Sequence, residues 1–142
     1  GVPAITSGQA LGRALRALGA RRICLVSAYT EEVNSRARRY FGDKHAVEIA
    51  ALAGFSSEGA YLSGRVGPEH ARAAFARSDR NDIDAFVVPG GNFATMASIA
   101  AWEHEFGKPV VTTNQAIVWA VGRELGGERI LGLGRLLEAM PA

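Results

Sequence analysis

At 142 residues and 15.0 kDa, the chain is the size of one compact domain, and 48% hydrophobic with 21% charged residues is a globular rather than a disordered composition. A net charge of +2 gives no electrostatic reason to expect nucleic acid or a membrane surface as partner, and a single cysteine excludes a disulfide framework or a Cys-rich metal site. No apolar run approaches the roughly 20 residues that span a bilayer. The opening GVPAITSGQ lacks the basic-then-apolar order of a signal peptide, so the expected location is cytoplasmic.

In chain order, Ser7 is placed to cap a first helix whose Leu11, Leu15 and Leu18 fall at spacings of four and three, with Gly19 as its stop. RRICLVSA follows as a short, nearly unbroken apolar run, the pattern of a strand buried on both faces. Thr30, Glu31 and Glu32 open a second helix that closes near Gly42. Its NSRARRYF segment is the densest basic cluster and reads as a solvated face, with no aromatic interleaving to suggest nucleic acid. HAVEIAAL is the second strand; the long Gly/Ser-rich AGFSSEGAYLSGRVG then leads to Pro68 in the first turn of helix three. IDAFVVP is strand three, Phe93 to Phe106 helix four, and KPVVTT strand four. Thr113 or Asn114 then caps helix five, QAIVWAVGREL. ERILGLGRLLEAM leaves room for a last short strand or turn and a helix.

A helix followed by four strand–helix units predicts an α/β fold, an open parallel four-stranded sheet with helices on both faces. Ligands of such sheets bind beyond the carboxyl ends of the strands. Three ends matter here: Ser27-Ala28-Tyr29-Thr30, Pro89-Gly90-Gly91-Asn92 and Thr112-Thr113-Asn114-Gln115.

At Gly90-Gly91 two readings stand side by side. Bare amides at the start of helix four suit a carboxylate or phosphate, and glycines let it approach closely; equally, the glycines make a plain strand-to-helix turn. The stretch is neither GxGxxG nor a P-loop, which leaves a nucleotide-binding reading weak. Tyr29 is either a hydrogen-bond donor to the same anion or a rim residue over the sheet end. Helix capping or turn formation accounts for Asn92, Thr95, Thr112 and Asn114 as well as ligand binding does. Cys24 reads as core packing, as do Trp102 and Trp119, and His45, His70 and His104 lack metal-ligand spacing. No metal and no cofactor is expected.

Three segments together, ALRALGARRICLVSAYTEEVN (14–34), DIDAFVVPGGNFAT (82–95) and GKPVVTTNQAIVWAV (107–121), resemble the aspartate/glutamate racemase superfamily, in its branch of maleate cis–trans isomerases and arylmalonate decarboxylases. The resemblance implies a flavodoxin-like half-domain, the second of two pseudo-symmetric halves with the active site between them. Residues 114–142 would then pack on a first half. It implies a small dicarboxylic or malonate-type acid as partner, without nucleic acid or membrane, alongside an N-terminal half or a homo-oligomer. Tyr29 matches the family tyrosine that bonds a substrate carboxylate, and the amides of Gly90 and Gly91 match its companion oxyanion donors. Asn92 and Thr95 fit the same pattern, whereas Ala94 stands where arginine is common. Gly90 occupies the position of the family's catalytic cysteine, with the side chain absent. A further family asparagine would fall near Gly59–Tyr61, where none is present. The resemblance therefore implies part of a cofactor-independent isomerase, decarboxylase or racemase, inactive alone. The alternative is a non-catalytic carboxylate-binding or interaction module that lost its cysteine.

Overall fold

The computed structural model describes residues 4–55 and 65–140. Helix α1 (Ser7–Ala17) is capped by Thr6 rather than by Ser7, which lies inside the first turn. The Thr6 hydroxyl accepts from Gln9 N–H at 3.2 Å, and the Gln9 side chain accepts from Thr6 N–H at 2.9 Å. That reciprocal pair satisfies two orphan donors at once. Strand β1 (Arg22–Ser27) is followed by α2 (Glu31–His45), which runs past Gly42 to end at Ala46 in the left-handed region, φ 54°. His45 therefore belongs to the helix, and β2 (Glu48–Gly54) begins three residues later than HAVEIAAL suggested, where Glu48 N–H reaches Arg21 C=O at 2.7 Å.

After α3 (Pro68–Ser78) and β3 (Ala85–Val88), the expected helix from Phe93 does not form. Phe93 turns its ring into the core at 1% exposure, and the Thr95 hydroxyl donates to Phe93 C=O at 3.2 Å. This local bond offers the backbone an alternative to a helix. Only after a single 3₁₀ turn at Met96–Ser98 does α4 (Ile99–Phe106) begin. Gly90-Gly91 is thus a free-standing loop, not the first turn of a helix. Strand β4 (Val110–Thr112) leads directly into α5 (Thr113–Leu125). The cap is Thr112, in a box with Gln115, so Thr113 and Asn114 are the first helical residues. The chain then closes with the short α6 (Arg135–Glu138), and no strand forms between α5 and α6.

All four strands are parallel, in the order β2-β1-β3-β4. Alternate residues serve opposite faces. Ile23, Leu25 and Val87 face a core with Leu11, Leu15, Phe41, Trp119 and Leu137, covered by α1, α2, α5 and α6. Cys24, Val26, Phe86 and Val88 face a second core with Phe75, Ile99 and Trp102, from α3 and α4. At the amino end of the sheet, the Asp84 carboxylate accepts from the N–H groups of Arg21 and Arg22, both at 2.8 Å. The buried Glu103 carboxylate binds the final segment: it accepts from Val110 N–H at 2.9 Å and from Arg135 N–H at 2.7 Å.

Candidate functional site

Strand order reverses direction between β1 and β3, adjacent in the sheet but separated in sequence by α2, β2 and α3. A crevice beyond the carboxyl ends of two such strands is the standard ligand position in open α/β sheets. Tyr29 follows β1 and Gly90 follows β3, so the switch point brings these two expected residues together.

Both are held from behind. Ser27 Oγ accepts from Tyr29 N–H at 3.1 Å, and the buried Asn34 side chain donates to Tyr29 C=O at 3.2 Å. Fixed at its backbone, Tyr29 remains 38% exposed and sets its hydroxyl against Gly90. Gly90 has φ +103°, and a Cβ built on it would lie 3.0 Å from that hydroxyl. The position therefore calls for glycine on two grounds, backbone angle and space.

The loop is held from the other side by the turn after β4. Gly90 N–H donates to Thr113 Oγ1 at 2.9 Å, and Asn114 Nδ2 donates to Gly91 C=O at 3.1 Å. Two successive residues of TTNQ thus grip two successive residues of the glycine pair. The Gly90 amide, an expected oxyanion donor, is already spent on Thr113, while the N–H groups of Gly91 and Asn92 have no acceptor among the described residues. The Asn92 side chain is exposed, outside the cavity described next. Thr95 is buried and committed to Phe93, and Thr112 to the helix cap.

Tyr29, Gly90, Gly91 and Thr113 form one wall of a cavity of about 390 Å³, to which α2 adds Arg36 and Tyr40. Arg36 pairs with Glu32 at 2.5 Å one turn away, which offsets part of its charge. Sequence reading placed Arg36 on a solvated face and Thr113 in a capping role. The signal for Arg36 was its place one turn into the helix that follows Tyr29. Residues 59–61, the expected place of the family asparagine, lie outside the described residues.

The remaining titratable groups stand apart. Cys24 is fully buried in mid-strand, and burial pushes its thiol up, against smaller opposing effects of Ser78 and Arg80. His45 packs into a notch at Gly12, where a Cβ would come within 2.3 Å of its ring; burial and then Arg16 pull its imidazole below the usual range. His70 accepts from Gly67 N–H at 3.1 Å, and His104 is exposed on α4. Among the described residues no group of three His, Cys, Asp or Glu suits a metal ion, and no helix is long and apolar enough to cross a membrane.

Comparisons with known proteins give the chain its relatives. The arylmalonate decarboxylase family model matches residues 1–137. Arylmalonate decarboxylase of Bordetella bronchiseptica is 29% identical over 97% of this chain, which spans 59% of that protein's length. A cysteine-to-alanine variant of the maleate isomerase of Pseudomonas putida, solved with maleate, superposes with a TM-score of 0.89 at 26% identity, over 96% of this chain and 55% of that one. A cysteine-to-serine variant of Nocardia farcinica maleate cis–trans isomerase, carrying a covalently bound succinylcysteine intermediate, gives 0.88 at 26% identity, over 95% and 56%. Fold and sequence converge: the chain belongs to the arylmalonate decarboxylase family.

Proposed function

We propose that this chain is the carboxylate-holding half of an isomerase or decarboxylase that acts on small dicarboxylic or malonate-type acids without a cofactor. The observation that carries the reading is the Tyr29 hydroxyl set against a side-chain-free Gly90 at the β1/β3 switch point, in a cavity of a size for a small acid. Tyr29 donates to one carboxylate, and the unspent Gly91 amide, in the same cavity wall, supplies a further donor. Fixed donors of this kind stabilise charge as it develops, because they need no reorganisation during the reaction. In a decarboxylation the C–C bond breaks, CO₂ leaves, and the electron pair remains as an enediolate. An acid on one face then returns a proton to carbon.

Gly90 supplies no such acid, and the chain's single cysteine, Cys24, is buried in the sheet. The proton donor in this reading is a thiol carried by a first half or by a second subunit. Val118, Val121 and Leu125, exposed on α5, support reading residues 114–142 as a surface that such a partner covers. The missing thiol also favours a second reading, a carboxylate-binding module without catalysis. The test incubates the full-length chain with malonate-type acids and with maleate and follows CO₂ and fumarate. Turnover of either supports the first reading. Binding without turnover supports the second. A folded protein that neither binds nor converts these acids overturns both.

A further inference from the structure

We infer that the Thr113 hydroxyl is a direct donor to the bound carboxylate, taking the place otherwise expected of the Gly90 amide. The inference rests on the reading of the cavity as a carboxylate site and deepens it.

A hydroxyl carries one proton to donate and two lone pairs that accept. One lone pair of Thr113 Oγ1 is occupied by Gly90 N–H at 2.9 Å. Its own proton has no acceptor among the described residues, although Thr113 is only 8% exposed. A hydroxyl this buried with an unspent donor is costly unless something accepts from it. Thr113 stands in the wall of the same cavity as Tyr29, Gly90 and Gly91, so an acceptor entering there meets it. As the first residue of α5 it also lies where the helix carries its partial positive charge. Thr112, one residue earlier, is spent on the Gln115 cap, so the two adjacent threonines divide the work: one starts the helix and the next faces the cavity. The Gly90 amide cannot serve a ligand while it serves Thr113. Accepting from Gly90 also orients the hydroxyl, because it directs the remaining proton away from the loop backbone.

The test is calorimetric titration of the full-length chain with malonate and with maleate, for wild type, Tyr29→Phe, Thr113→Ser and Thr113→Val. Charge-assisted hydrogen bonds are among the stronger ones, so Thr113→Val is expected to weaken binding by at least about tenfold, while Thr113→Ser stays within about threefold. Thr113→Val also releases the Gly90 amide, so the wild-type protein supplies an independent measurement. Its Gly90 amide proton is expected to hold its NMR shift and its slow exchange at saturating ligand. A large ligand-induced shift of that proton, or unchanged affinity in a folded Thr113→Val, overturns the inference. If Tyr29→Phe weakens binding and Thr113→Val does not, only the role of Thr113 falls. If wild type binds neither acid, the reading of the cavity falls with it.

Discussion

The Tyr29 hydroxyl occupies the space into which a side chain at residue 90 would grow: a Cβ there lies 3.0 Å from it, on a backbone with φ +103°. A side chain at residue 90 is therefore opposed both by the backbone angle and by Tyr29. Gly90→Cys is expected to cost about 1–3 kcal/mol of stability, the range for a non-glycine residue in a sparsely populated backbone region. Adding Tyr29→Phe relieves the contact but not the backbone angle, so it recovers only part of the loss. Urea unfolding of the single and double variants gives the coupling. Independent, additive effects would show that the two residues do not meet.

Gly12 on α1 leaves the notch that His45 fills from the end of α2. A methyl group there would stand 2.3 Å from the imidazole, so Gly12→Ala must displace the ring. Overpacking of this kind costs about 1–3 kcal/mol despite alanine's better helix propensity. Chemical denaturation measures the loss. A stabilised Gly12→Ala would mean that His45 leaves the notch freely.

The same histidine gives stability a pH dependence of defined sign. Its folded-state pKa lies below the ordinary value of 6.5, chiefly through burial, so the unfolded chain takes up the proton first. Stability is full above that value and falls as pH drops through it toward the depressed folded pKa. Asp84 acts in the same direction at lower pH. The amides of Arg22 and Arg21 hold its carboxyl below the ordinary value, so its contribution is present above about pH 3.8 and is lost as pH falls through the folded pKa. Urea midpoints between pH 8 and pH 3 test both, and His45→Gln should flatten the upper part of the curve.

Glu103 is expected to be indispensable for the last segment. Glu103→Ala leaves the N–H groups of Val110 and Arg135 without their acceptor, at about 1–3 kcal/mol for each group that stays buried. Hydrogen exchange should show residues 130–140 opening before the sheet does. Burial raises the Glu103 pKa despite these two bonds, so its carboxylate opposes folding slightly as pH rises past the ordinary 4.5. Uniform exchange across the molecule in Glu103→Ala would contradict the local role.

A parallel four-stranded sheet with helices on both faces was legible in the sequence because apolar runs such as ICLV and FVV alternate with amphipathic stretches over the whole chain. Tyr29 and Gly90 could be placed at strand ends for the same reason. Less legible was whatever depended on one side chain competing with the backbone. Thr95 and Phe93 delay α4 by six residues; Thr6 outcompetes Ser7 because Gln9 answers it three residues on. Nor does a linear reading show that Thr113 takes the Gly90 amide, since the contact joins residues twenty-three apart.

That contact also ties the form of the glycine loop to the edge strand of the sheet. The β1/β3 pairing brings Tyr29 beside Gly90, but the contacts that grip the glycine loop come from residues beyond β4. The loop takes its form when β4 adds to the sheet edge and delivers Thr113 and Asn114. The shape of the glycine loop is thus a property of the completed sheet edge and not of the β1/β3 pair alone.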